Sequence, residues 1–129
     1  MLVFSEYQTD TIDLALDFYG YEDCPKKYEF GPSVRDNFVL HFITKGKGVF
    51  HINKKEIHLE AGDLFLLPKN KVTYYQADAE DPWSYYWIGI SGTKVSDFMR
   101  FSTLHEKGFL KKTEVDTERI GQFMEQLVH

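Results

Sequence analysis

The chain has 129 residues and a net charge of −5, and 16% of its residues are aromatic, including eight tyrosines and two tryptophans. That length suits one domain with its own core, and the single Cys24 excludes an internal disulfide and fits a reducing, cytoplasmic setting. The acidity excludes a surface built to neutralise phosphates; the opening Met1-Leu2-Val3-Phe4-Ser5-Glu6 is no secretory signal, and no apolar run reaches the roughly 18 residues of a membrane helix.

Residues 11–18 alternate strictly, which predicts a half-buried strand with Ile12, Leu14, Leu16 and Phe18 on one face. Residues 20–32, rich in Gly, Pro and charge, are expected to form a long connection in which Cys24 is a packing residue, and Tyr21 and Glu22 are candidates for a lid over a pocket rather than its expected contacts. Residues 38–44 predict a strand with Phe38, Leu40 and Phe42 on one side and Val39, His41 and Ile43 on the other. Lys45-Gly46-Lys47-Gly48 interrupts it, residues 49–52 resume, and Asn53-Lys54-Lys55 makes a hairpin connection to a strand with Ile57 and Leu59 inward. Gly62 supplies positive φ to the following turn. Leu64-Phe65-Leu66-Leu67 is apolar on both faces, as a central strand would be, and Pro68 ends it. Residues 72–77 and 83–90 complete a series of short strands whose roughly 8–12-residue spacing predicts a sandwich or barrel. Beyond Gly92 the period becomes helical: Val95, Phe98 and Met99, then Ile120, Phe123, Met124, Leu127 and Val128 behind an N-cap at Asp116 or Thr117. The stripe is unfinished at His129, so the chain is expected to be part of a longer protein.

Trp83, Tyr85 and Trp87 share parity along one strand, so they face either a pocket or the core. A wet cavity satisfies indole N–H and phenol O–H groups more readily than an aliphatic core does. Tyr75 shares parity with Thr73 and Ala77, a polar and roomy set that suits a cavity, and His41, between Val39 and Ile43 in parity, is internal. His58 lies between Glu56 and Glu60 and is expected to be solvated, and His51 to be a hydrogen-bonded barrel residue. Arg35 offers forked donors to vicinal hydroxyls or a carboxylate; its other reading is a surface charge beside Asp36. The acidic stretch 78–81 reads as a solvated turn and not as catalytic carboxylates. Aromatic faces that cover the C–H side of a ring, with a few polar groups to fix its hydroxyls, suit a sugar-sized ligand.

Gly62, Pro68, Asn70, Thr73 and Ala77 follow spacing that resembles the second cupin motif, with Asn70 in place of a glycine. The resemblance implies a mainly β fold, a cupin-like double-stranded β-helix (jelly-roll barrel) followed by carboxy-terminal α-helices. It also places Ile52, Lys54 and Thr73 where cupin enzymes carry metal-binding histidines. An apolar side chain, an amine and a hydroxyl form no imidazole-rich divalent site, so neither metal nor cofactor is expected. His41, His51 and His58 keep a metal-dependent enzyme of sugar-isomerase type open as the alternative.

Over residues 20–92, the segments GYEDCP, FGPSVRDNFVLHFITKGKGVF and LEAGDLFLLPKNKVTYYQADAEDPWSYYWIGISG resemble the effector-binding amino-terminal domain of AraC-family transcription regulators, especially sugar-responsive ones of Gram-positive bacteria. The resemblance implies a non-enzymatic, ligand-sensing barrel that binds a small effector, a sugar, reversibly. It implies a homodimer formed through a following helical region, and DNA contact only through a separate helix-turn-helix domain outside this chain. Residues 1–92 would then be the barrel with an amino-terminal arm, and 93–129 the start of the dimerisation or linker region. The arm over residues 1–10 and the helix from Thr117 are the elements expected to carry pocket occupancy to the DNA-binding part. Set against the arabinose-responsive type, sugar contacts fall on Arg35, Tyr75, Trp87 and Tyr85, the last in place of a histidine. With His41, these are the expected ligand-binding residues. A stand-alone carbohydrate-binding module is the remaining alternative.

Overall fold

The computed structural model describes residues 15–33, 37–68, 70–91, 103–114 and 116–128. In chain order these form β1 (Ala15–Asp23), β2 (Glu29–Ser33), β3 (Phe38–Lys45), β4 (Lys47–Ile52), β5 (Lys55–Glu60), β6 (Leu64–Leu67), β7 (Thr73–Ala77), β8 (Ser84–Ser91), α1 (Thr103–Lys107), β9 (Phe109–Leu110) and α2 (Glu118–Val128). Two antiparallel sheets result, one of five strands in the order β1-β8-β3-β6-β9 and one of four in the order β2-β7-β4-β5.

Alternation sorts the side chains of both sheets. Val39, Ile43, Phe65, Leu67 and Tyr85 from the five-stranded sheet, with Trp83 just before β8, meet Phe50, Ile52, Ile57, Leu59, Tyr75 and Ala77 from the four-stranded sheet in one core. The opposite face of the five-stranded sheet is apolar as well: Phe38, Leu40, Leu64, Leu66, Tyr86, Ile88 and Ile90 pack under Met124 of α2, with Leu104, Leu110, Ile120, Phe123 and Leu127 around them. β6 is therefore buried on both sides, as its unbroken apolar run predicts. The four-stranded sheet keeps a polar outer face, on which His58 and His51 lie beside Glu56, at 3.3 Å and 3.9 Å.

The turns follow their residues. Asn53 and Lys54 both take positive φ between the paired Ile52 and Lys55, the geometry of a two-residue type I′ hairpin. Gly62 adopts φ 96° in the turn before β6. There the buried Asp63 carboxylate accepts the backbone N–H of Glu60 at 2.8 Å and that of Lys112 at 2.9 Å, tying the chain after β9 to the barrel. At the start of α2, Asp116 accepts the N–H of Glu118, the carbonyl of Thr117 accepts the N–H of Gly121, and the Thr117 hydroxyl donates to the carbonyl of Gly62. The two expected cap residues thus divide the work: one caps the helix and the other moors it.

One expectation is overturned. Residues 20–32 are not a long connection, because β1 continues to Asp23 against β8 and β2 begins at Glu29 on β7. Gly20 extends the strand here because its missing Cβ leaves room for Trp87, and Gly31 with φ 102° sits where β2 shifts register at the sheet edge. Also unforeseen are α1 and the two-residue β9, which pairs with β6. Residues 1–14 and 92–102 lie outside the described residues, and with them the arm, Ile12, Leu14, Val95, Phe98 and Met99. Among the described residues no helix is long and apolar enough to cross a membrane.

Candidate functional site

The inner face of the five-stranded sheet is a grid of paired rows. Phe18, Gly89, Val39 and Leu67 form one row, Gly20, Trp87, His41 and Phe65 the next, and Glu22, Tyr85 and Ile43 a third. Bulk and its absence are complementary between β1 and β8. A Cβ on Gly20 would lie 2.4 Å from the Trp87 ring, and one on Gly89 would lie 2.3 Å from the Phe18 ring. Each ring is thus accommodated over a glycine of the neighbouring strand.

These rows wall a cavity of ≈170 Å³ lined by Phe18, Glu22, Val39, His41, Tyr85 and Trp87, and faced by Phe30 and Tyr75 of the other sheet and by Tyr28 just before β2. Four of the five sequence-nominated residues, His41, Tyr75, Tyr85 and Trp87, therefore converge on one hollow. The fifth, Arg35, lies outside the described residues. The polar groups are spaced between rings. His41 stacks on Phe65 at 4.3 Å between ring centres and meets Tyr75 and Tyr85 edge-on at 5.4 and 4.8 Å. The Tyr85 hydroxyl donates to that of Tyr75 at 3.4 Å, and Trp87 stands edge-on to Tyr85 at 6.1 Å. Burial, then the neighbouring Tyr75, pushes the Tyr85 phenol far above its ordinary range, and burial followed by the Glu22 charge raises that of Tyr28. Both phenols are held neutral and available as donors and acceptors.

The common parity of Trp83, just before β8, with Tyr85 and Trp87 within it has two outcomes. Trp83 is fully buried, stacked on Phe65 at 5.2 Å, and belongs to the core floor. Trp87, two pleats further, is half-buried at the cavity. Tyr21 and Glu22, the candidate lid pair, part company because adjacent strand residues face opposite ways: Tyr21 packs outside on Tyr86 at 4.8 Å, and Glu22 lines the cavity. Phe18, Tyr28, Phe30 and Val39 were not nominated as contacts. Their signal was the same alternation, hidden where 20–32 reads as a loop.

Ile52 and Thr73 are buried and Lys54 sits in the hairpin turn, and among the described residues no group of three His, Cys, Asp or Glu side chains converges. Asp78 accepts the N–H groups of Asp81 and Glu80, which hold its carboxyl below the usual range, as in a solvated turn. Cys24 is buried, and burial raises its thiol to about 11, so it carries no thiolate nucleophile at neutral pH.

Comparison with known proteins gives a consistent picture. A family model described as the AraC-like ligand binding domain matches residues 15–129. The Msm operon regulatory protein of Streptococcus mutans serotype c is 48% identical over 105 residues, covering 81% of this chain and 38% of that protein. The raffinose operon transcriptional regulatory protein of Pediococcus pentosaceus is 41% identical over 100 residues, with 75% and 36% covered. The lactose operon transcription activator of Staphylococcus xylosus is 29% identical, with 95% and 44% covered. The chain thus spans less than half the length of these relatives, which are regulators and not enzymes. Among solved structures, the Schizosaccharomyces pombe Cnp3 cupin domain superposes with a TM-score of 0.53 at 15% identity, covering 67% of this chain and 69% of that one. This likeness bears out the cupin-like barrel.

Proposed function

We propose that this chain, a member of the AraC-like ligand-binding domain family, binds a sugar reversibly in its barrel and is the sensing part of a cytoplasmic regulator of a sugar operon. The observation that carries the reading is the convergence of His41, Tyr75, Tyr85 and Trp87 on one aromatic hollow. Ring faces suit the apolar side of a pyranose, and the phenols and imidazole suit its hydroxyls. At ≈170 Å³ the hollow is smaller than the roughly 300–1,000 Å³ of a drug-sized site. It takes one ring, and a larger saccharide presents its terminal ring with the remainder outside. The names of the raffinose and lactose operon relatives support a saccharide of this kind. Tyr85 in place of a histidine sets the choice of sugar apart from the arabinose-responsive type.

In the whole regulator, DNA is contacted by a separate helix-turn-helix domain, and residues 93–129 begin the region through which two copies associate. Effector occupancy alters regulation only if the sugar interacts differently with two arrangements of the molecule. The arm and α2 remain the elements proposed to differ between them.

A thermal-shift screen of this chain against mono-, di- and trisaccharides tests the binding claim. A ligand present at a hundred times its dissociation constant stabilises the native state by about 2.7 kcal/mol. Trp87→Ala is expected to abolish that shift while the variant retains its β-sheet circular dichroism. Absence of a shift with every sugar overturns the reading.

A further inference from the structure

Glu22 is the one acidic side chain among the described lining residues, and no Lys or Arg accompanies it there. It projects from β1 opposite Tyr85. Its neighbour Asp23, facing the other way, is fully engaged by Ser84, Tyr21 and Lys45. Among the described residues no hydrogen bond or salt bridge restrains Glu22. A carboxylate set among Phe18, Tyr28, Tyr85 and Trp87 is an acceptor-only group beside low-dielectric ring surface, where its charge is less screened than in water.

Resting on the sugar reading above, we infer that Glu22 fixes the charge class of the effector: the cavity takes a neutral, unphosphorylated sugar and rejects sugar phosphates and sugar acids. Two adjacent ring hydroxyls donate to the two carboxylate oxygens, as charge-assisted bonds stronger than neutral ones. A phosphate ester brings roughly 1.5 to 2 negative charges, and a uronic acid brings one, against a fixed charge of the same sign, a juxtaposition that interfaces use to exclude wrong partners. The sensed molecule therefore precedes any phosphoryl-transfer step that acts on the sugar.

Isothermal titration of the chain and of its Glu22→Gln variant with galactose, raffinose, galacturonate, galactose 6-phosphate and choline tests this. Galacturonate is nearly isosteric with galactose, so it separates charge from shape. The wild type is expected to bind galactose or raffinose at least about tenfold more tightly than either anionic probe, and Glu22→Gln to narrow that gap at least threefold. The wild-type gap is also measured at low and high salt, which needs no folded variant; a gap set by charge narrows as salt rises. Equal wild-type affinity for neutral and anionic probes, or a gap unmoved by both the substitution and salt, overturns the Glu22 assignment while leaving the sugar reading intact. Failure of every sugar to bind, with or without choline binding in the aromatic cage, brings down both.

Discussion

Gly20 and Trp87 exemplify how single residues shape the hollow. The Cβ that Gly20→Ala adds would lie 2.4 Å from the indole, whose outer edge borders open space, so the ring swings into the cavity. Gly48→Ala provides the contrast: there the new Cβ lies 2.6 Å from the backbone carbonyl of Gln76 and 2.6 Å from the fully buried Trp83 ring, neither of which can retreat. Gly20→Ala is thus expected to lower sugar affinity at least about tenfold with a small change in unfolding midpoint. Gly48→Ala is expected to destabilise by about 1–3 kcal/mol. Urea denaturation and calorimetric titration of both variants check the pair. At this scale the aromatic site residues were legible, because parity along β3, β7 and β8 is a property of local sequence. The facing of Glu22 was not, because nothing local says that β1 continues past Gly20 until β8 is placed beside it.

Elements are joined here by a few buried polar anchors, and Asp63 is the chief of them. Its carboxylate satisfies one N–H at the end of β5 and another just beyond β9, so it holds the turn before β6 and the segment leading to α2 in one arrangement. Asp63→Ala leaves both donors without that acceptor and is expected to cost about 2–4 kcal/mol. Hydrogen exchange should show the loss first at Lys112 and in α2; protection unchanged there would mean that apolar packing alone docks the helix. β3 to β8 were readable in advance because each alternates, or is apolar throughout, between clear turn residues. β2 was not, since an edge strand tolerates the Gly-Pro that argues against a strand elsewhere. β9 contributes two residues, too few to carry a period.

For the whole molecule, stability at alkaline pH reports on the closed core. The Cys24 thiol ionises near 9.0 in an ordinary setting and near 11 in the fold, burial being the main cause. The native state keeps the proton that the unfolded chain has released, so stability is undiminished below pH 9 and declines between pH 9 and 11, by about 2–3 kcal/mol for this group. Tyr85, raised in the same direction, adds to the decline above pH 10. Cys24→Ala is expected to flatten the first part of that decline in urea midpoints measured from pH 8 to 10.5; an unchanged slope would show the thiol to be open to water. Across the molecule, the sequence by itself determined the strand faces, the hairpin and turn positions, the helical period of α2 and the aromatic character of the site, because side-chain alternation and turn chemistry act over a few residues. Only the tertiary structure decided that Trp83 belongs to the floor and Trp87 to the wall, that Glu22 faces inward, and that the hollow between the sheets measures ≈170 Å³. Those facts depend on which strands become neighbours and how far the two sheets stand apart, and no local pattern encodes that spacing.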